Sequence, residues 1–225
     1  MSEPRTTGPS KQEIETGAAV YTRQSLSRYD FLVLGVVSRW IWHCSRKEIL
    51  AVYNRNIGER HLDLGPGTGF FLDRCDHRSA HPRIALADLN PTVLAAAQKR
   101  LQRYTPTTYQ RDVISPFELD GEKFDSVGLN FLLHCLPGGM ERKAQVFDHA
   151  RVHLLPGGRI FGSTVLAGGV NHSKGARKAL EALNQNGTFN NRDDSYRMLE
   201  AELTRRFHDY RLTVRGSVAV FEIST

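Results

Sequence analysis

The stretch His61-Leu-Asp-Leu-Gly-Pro-Gly-Thr-Gly69 constrains this chain more than any other. An apolar run ends at Asp63, and glycines follow at alternate positions, Gly65, Gly67 and Gly69. Phe70-Phe71-Leu72 then starts a helical pattern. The order is strand, tight turn, helix. Glycine suits a sharp backbone turn and a place where a ligand lies against the main chain. The turn opens a helix N-terminus, whose free N–H groups favour a negative or polar ligand. Two other ligand turns are excluded by detail. A dinucleotide fingerprint puts Gly or Ala where this chain has Phe70, and a P-loop ends in Gly-Lys-Ser/Thr, which is absent.

Downstream, strand and helix patterns alternate. Arg83–Asp88 reads as a second buried strand ending in an acid. Asp88 follows the turn at about the twenty-residue spacing at which an acid meets a ribose in nucleotide-binding α/β folds. Leu89-Asn90-Pro91 leads into a helix over Thr92–Arg103, with Pro91 in its first turn. A third strand near Thr107–Gln110 leads to Arg111-Asp112-Val113, and a fourth covers Phe124–Asn130. A helix over Met140–Leu154 ends at a Leu155-Pro-Gly-Gly158 turn, before a fifth strand over Arg159–Val165. Helices over Ser173–Asn186 and up to Arg206 precede a hairpin of Tyr210–Val214 and Ser217–Ile223. This order predicts an α/β protein. Its core is a Rossmann-like, doubly wound seven-stranded sheet with a terminal antiparallel hairpin. Residues 1–10 read as a disordered tail, 11–56 as an N-terminal helical cap or lid, and 57–225 as the α/β domain.

Asp63-x-Gly65-x-Gly67-x-Gly69 resembles motif I of the class I S-adenosylmethionine-dependent methyltransferases. Asp88-Leu-Asn-Pro91 resembles their motif II. Phe124–Asn130 with Leu133-His-Cys-Leu-Pro137 resembles motif IV of their small-molecule members. The resemblance covers about residues 58–225 and implies S-adenosyl-L-methionine as cofactor. It implies that Gly65, Gly67, Thr68 and Gly69 pass the methionine part, with Asp63 fixing its amino group. It implies Asp88 on the ribose hydroxyls, with Leu89 beside it. Asp112 is expected on the adenine amino group with Val113 N–H beside the ring, although a plain turn aspartate fits the same position. Asn130, at a strand's C-terminal end, and Tyr21, in the cap, complete the expected cofactor set.

Composition bears on the acceptor. The formal net charge is +6, which is open to nucleic acid or to a small acidic substrate. Base-modifying members of the family carry Asn/Asp-Pro-Pro-Tyr where this chain has Asn130-Phe131-Leu132-Leu133, which disfavours nucleic acid. Three cysteines without a Cys-x-x-Cys pair argue against a disulfide framework or a structural zinc, and no metal is expected. No apolar run reaches the ~20 residues of a membrane span, and no secretory signal opens the chain. A cytoplasmic protein, monomeric or homodimeric, is expected, without a membrane or nucleic-acid partner.

Lys174, Arg177 and Lys178 open the helix after the fifth strand. Cations in a first helical turn oppose the macrodipole by roughly 0.3–1 kcal/mol each, a cost explained if an anion sits there. This favours O-methylation of a small anionic organic substrate, phosphonate ahead of carboxylate, with Tyr29 donating from the cap and His134 bordering the cofactor. The pattern is similar to phosphonate O-methyltransferases of antibiotic biosynthesis. The alternative is a neutral phenol or amine with His134 as base. An RNA methyltransferase and a non-catalytic cofactor-binding module are weaker readings.

Overall fold

The computed structural model describes residues 40–225. Tyr21, Tyr29 and most of the expected cap lie outside the described residues. The first described α-helix, α1, spans Arg46–Asn56. A capping box starts it: Ser45 Oγ accepts from Glu48 N–H at 3.3 Å, and the Glu48 carboxylate accepts from Ser45 N–H at 2.6 Å. Two donors that a helix start would strand are thereby satisfied. At its other end, Arg55 and Asn56 hold Glu222 at 2.9 and 2.6 Å and tie the helix across the sheet.

Seven strands follow: β1 (Arg60–Leu64), β2 (Arg83–Asp88), β3 (Thr107–Gln110), β4 (Phe124–Asn130), β5 (Leu154–Val165), β6 (Asp209–Arg215) and β7 (Val218–Ser224). They form one sheet in the order β3-β2-β1-β4-β5-β7-β6. Strands β1 to β5 pair in parallel, and β7 runs antiparallel to both β5 and β6. The expected sheet and closing hairpin are therefore present.

The parallel strands are buried because helices cover both faces. Period two divides their side chains. Leu62, Leu64, Ala85, Ala87, Val127 and Leu129 enter one core with the helices over Gln145–Arg151 and Tyr196–Arg206, while Ile84, Leu86, Phe161 and Val165 enter the other with α1 and the helix over Lys174–Gln185. Leu62 and Leu64 are fully buried, each contributing about 1.5–3 kcal/mol of transfer free energy. On β4 the same alternation sends Ser126 and Asn130, both buried and polar, toward α1. That choice places a polar seam beneath the glycine turn.

The helices are α2 (Phe70–Arg74), α3 (Pro91–Arg100), α4 (Met140–Lys143), α5 (Gln145–Arg151), α6 (Lys174–Gln185) and α7 (Tyr196–Arg206). Three boundaries differ from the sequence reading. The Thr92–Arg103 helix stops at Arg100, and a short 3-10 turn over Gln102–Tyr104 follows. The Met140–Leu154 helix breaks at Ala144, where Phe147 N–H bonds the Ala144 carbonyl in a tight turn. Strand β5 begins at Leu154, so the Pro156-Gly157-Gly158 turn lies inside the strand. It is absorbed as a bulge: Phe124 faces Leu154, but Ser126 faces Arg159. Gly157, at φ 75°, takes the conformation the bulge needs.

Candidate active site

The strand order reverses between β1 and β4, which opens a crevice at the C-terminal ends of those strands. The turn after β1 runs along it. Gly65, Gly67 and Gly69 all lie at positive φ, 66°, 54° and 72°. A Cβ on Gly65 would meet Leu132 at 2.7 Å, whereas one on Gly67 would meet nothing within 4 Å. Gly65 is thus required by its left-handed φ more than by packing, since the Leu132 methyl can shift, and Gly67 leaves bare main chain facing open space. That bare stretch is what a ligand lying along the turn would need. Thr68 faces elsewhere, since its Oγ1 accepts from Arg100 of α3 at 2.9 Å.

Asp63 is only 1% exposed. Its Oδ2 accepts from the Tyr53 hydroxyl of α1 at 2.8 Å and lies 3.3 Å from His61 Nε2. The tautomer follows from the bonds around it. Gly58 N–H donates to Ser126 Oγ at 2.8 Å, and that hydroxyl faces His61 Nδ1 at 2.8 Å. A carboxylate can only accept, so His61 presents Nε2–H to Asp63, and in the neutral ring the Ser126 hydroxyl donates to Nδ1. Burial first, and the Asp63 charge second, hold the Tyr53 hydroxyl well above its ordinary range, so it stays a donor. The Tyr53 ring stacks on Phe71 at 5.6 Å and meets Phe161 edge-on at 5.1 Å.

Asp88 ends β2. Burial pushes its carboxyl up to about 6, against the N–H groups of Asn90 and Leu89, which pull it down. Asn90 N–H donates to its Oδ1 at 2.8 Å. A diol would add donors to a carboxylate that burial has left poorly solvated. Leu89, beside it, is 39% exposed, unusual for a large apolar side chain and suited to covering a flat ligand.

Asn130 closes β4 with 8% exposure. Its Oδ1 accepts from Ser163 Oγ at 3.1 Å, and its buried Nδ2 faces the Tyr53 hydroxyl without closing a well-formed hydrogen bond. A buried donor left open costs roughly 1–3 kcal/mol unless something fills it. The next residue, Phe131, is held at φ 55°, a left-handed strain for an aromatic residue. After β3, Asp112 spends both carboxylate oxygens locally. Oδ1 accepts from Ile114 N–H and Oδ2 from Ser115 Oγ, each at 3.1 Å. This is the turn geometry that the sequence left open beside the adenine role. Val113 is buried, and its carbonyl faces His149 Nδ1 at 3.2 Å. The turn, Asp88 with Leu89, and Asn130 thus stand together at adjacent strand ends, with Asp63 beneath them. They fit a ligand with a polar tail, a diol and a flat ring.

The expected catalytic residues are placed differently. His134 is buried, and its Nδ1 accepts from Val165 N–H at 3.2 Å. Burial first, and Lys143 second, pull its pKa down to about 3. It is a neutral Nε2–H ring whose one basic lone pair, on Nδ1, is taken by Val165 N–H, which disfavours the alternative with His134 as general base. Lys174 and Arg177 are exposed on α6. The start of α6 is already capped by Ser173 Oγ, which accepts from Ala176 N–H at 3.0 Å, and Arg177 donates to the His172 carbonyl at 3.3 Å. Among the described residues no group of three His, Cys, Asp or Glu side chains gathers to hold a metal.

Sequence reasoning passed over Tyr53, His61 and Ser126. His61 carried a usable signal, because it lies two residues before Asp63 on a strand and shares its face. Tyr53 carried none, since nothing in the sequence fixes which residue of α1 meets β1.

Residues 62–160 match the model of a family described as a methyltransferase domain. Demethylluteothin O-methyltransferase of Streptomyces thioluteus is 38% identical over 214 residues, 95% of this chain and 93% of the relative. The physcion biosynthesis cluster O-methyltransferase of Aspergillus chevalieri is 36% identical, covering 95% of this chain and 97% of the relative. The fold also superposes on the N-methyltransferase NodS of Bradyrhizobium japonicum, solved with S-adenosyl-L-homocysteine. That match has a TM-score of 0.59 and 14% identity, and covers 90% of this chain and 97% of that one. The chain belongs to the S-adenosylmethionine-dependent methyltransferases, and both of these relatives are named as O-methyltransferases, one of them of a biosynthesis cluster. Its cofactor is S-adenosylmethionine, which fits the open turn at Gly67 and the incompletely satisfied donor on Asn130. No described helix is long and apolar enough to cross a membrane.

Proposed function

We propose that this enzyme methylates an oxygen that arrives already ionised, on a small natural-product acid. The observation that carries this reading is the state of the two histidines beside β4 and β5. His134 is neutral with its Nδ1 occupied by a backbone donor. His172 Nε2 faces the Ala167 carbonyl at 3.0 Å and its Nδ1 faces the Ser217 hydroxyl at 2.9 Å, so both ring nitrogens are used. Neither offers a base. An acceptor that needs no base fits such a site, because an anionic oxygen only has to be held in line with the reactive methyl.

In this reading Asp63, Asp88, Leu89, Asn130 and the main chain of Gly65–Gly69 hold the cofactor, whose contribution is a methyl activated on a sulfonium. Asp112 and Val113 flank its ring, and Tyr21 joins from the cap. Lys174 and Arg177 draw the acceptor's charge, and Tyr29 donates to it from a cap formed by residues 11–56. Phosphonate stands ahead of carboxylate on charge alone. The relatives named for demethylluteothin and for physcion biosynthesis support a secondary metabolite as acceptor, and they widen the class to a hydroxyl acidic enough to ionise near neutrality.

An acceptor panel tests this. Phosphonates, carboxylates, acidic hydroxyls, ordinary phenols and amines would be assayed for S-adenosylhomocysteine formation at neutral pH. Turnover is expected for the ionised members. Lys174→Ala and Arg177→Ala are each expected to raise KM for them by about tenfold, the weight of one charge-assisted bond. Turnover confined to ordinary phenols and amines would overturn the proposal.

A further inference from the structure

The geometry points to Tyr53 and His61 as positioning residues for cofactor binding: they clamp Asp63 by one carboxylate oxygen so that the other receives the cofactor's ammonium group. This rests on the reading of Asp63 as the residue that fixes the amino group. Both bonds fall on the same atom, Oδ2, from the Tyr53 hydroxyl at 2.8 Å and from His61 Nε2 at 3.3 Å. They come from different elements. Tyr53 is on α1, and His61 is two residues before Asp63 on β1.

Each donor is itself fixed. Tyr53 is wedged between Phe71 and Phe161, and His61 stacks on Phe161 at 5.6 Å. His61 Nδ1 is held by Ser126, which Gly58 N–H holds in turn. Tyr53, His61 and Asp63 are all buried. The carboxylate has little freedom to turn, and Gly128 leaves just the room the clamp needs, since a Cβ there would crowd Oδ2 at 3.0 Å and His61 Nε2 at 3.2 Å. A carboxylate needed only for packing could be an apolar side chain of similar volume. One with two donors aimed at a single oxygen has a defined open edge, just before a turn that carries a cofactor. A preset edge also spares the ligand the entropy of ordering a side chain on binding.

The consequence is selectivity between two ligands. S-adenosylhomocysteine carries the ammonium group. Methylthioadenosine shares the adenosine and thioether but lacks it. Calorimetry would measure both on wild type, Tyr53→Phe, His61→Gln and Asp63→Asn, with melting curves confirming that each is folded. Tyr53→Phe is expected to weaken S-adenosylhomocysteine by about tenfold, the range of a charge-assisted contact, and to leave methylthioadenosine within about twofold. Asp63→Asn should show the same selectivity, more strongly. His61→Gln keeps an amide donor toward Asp63 and should largely retain wild-type affinity for both. If Tyr53→Phe weakens both ligands alike, or neither, while Asp63→Asn remains selective, the clamp is wrong and Asp63 still meets the ammonium. If Asp63→Asn is itself unselective, the Asp63 reading fails and the clamp falls with it.

Discussion

On the glycine-turn side of the crevice, strand ends hold polar groups that the described protein completes only in part. Asn130 Nδ2 is buried without a well-formed hydrogen bond, Asp88 is a desolvated acid, and Gly67 bares its main chain. On the β5 side, polar groups are paired with one another. Lys143 and Asp194 form a buried ion pair at 2.6 Å, and Asn190 N–H caps the His134 carbonyl at 2.8 Å. Asn191 is held by Asn184 at 2.8 Å and donates to the Val165 carbonyl at 2.8 Å. The first region is built to be finished by a ligand, and the second to brace a loop, residues 186–195, whose Phe189 stacks on Trp42 and lies tilted against His134. The contrast teaches where ligand and stability effects should separate.

The largest expected effect lies in the braced region. Burial pushes the Lys143 ammonium down and the Asp194 carboxyl up from their ordinary values, against their mutual attraction. Removing one partner would strand the other as a buried charge. Lys143→Met is expected to cost about 3–5 kcal/mol of stability by chemical denaturation. Replacing both residues with apolar ones of similar size should cost far less. Affinity for S-adenosylhomocysteine, measured where Lys143→Met is still folded, should match wild type. A large loss of affinity there would break the division between the two regions.

The next effect belongs to the ligand side and has a pH signature. Asp88 titrates near 6 in the free protein. Ribose hydroxyls donate to the ionised form, so protonation competes with binding. Affinity for S-adenosylhomocysteine should therefore be level above pH 7 and fall as pH drops below 6, approaching about tenfold per unit. Asp88→Asn should bind about ten- to a hundredfold more weakly at pH 7 and lose the pH dependence. Calorimetry from pH 5 to 8 measures both. The sign for folding is opposite. The folded protein binds this proton more tightly than the unfolded chain, so Asp88 lowers the stability of the free protein as pH rises from about 4 to 6.

The same contrast explains what the sequence could tell. The glycine-turn side was legible because its chemistry is local. Gly65, Gly67 and Gly69 are consecutive in one turn, and Asp88 and Asn130 sit where hydrophobic runs end. Strands β1 to β4 and the closing hairpin appear where period and turn residues put them, whereas β5 starts before the Pro-Gly-Gly turn instead of after it. The braced side was not legible, because its pairs join distant segments: Lys143 with Asp194, His134 with Val165 and Asn190. A histidine in Leu-His-Cys-Leu reads equally well as a base or as a brace. Only the backbone N–H pointed at Nδ1 decides. The break of the Met140–Leu154 helix at Ala144 was hidden in the same way, since it falls just after Lys143.

The smallest expected effect on turnover sharpens the comparison most. If His134 belongs to the braced side, removing its titratable ring should hardly touch chemistry. His134→Asn places an amide oxygen near the Nδ1 position, where it can still accept from Val165 N–H. With an ionised acceptor at saturation, kcat should stay within about threefold of wild type, whereas loss of a true general base costs about a hundred- to ten-thousandfold. The substitution should show instead in acid stability. The folded pKa of His134 lies near 3, below its unfolded value, so the unfolded chain binds more protons between those limits. Wild-type stability should then decline as pH falls below about 6.5, by about 1.4 kcal/mol per unit from this residue, until the folded pKa is reached. His134→Asn removes that contribution, so its stability should fall less steeply with acid. Denaturant titrations at pH 7 and pH 5, beside saturating kinetics at pH 7, separate the two roles. A collapse of kcat with unchanged acid stability would move His134 to the ligand side and restore a neutral acceptor with a histidine base.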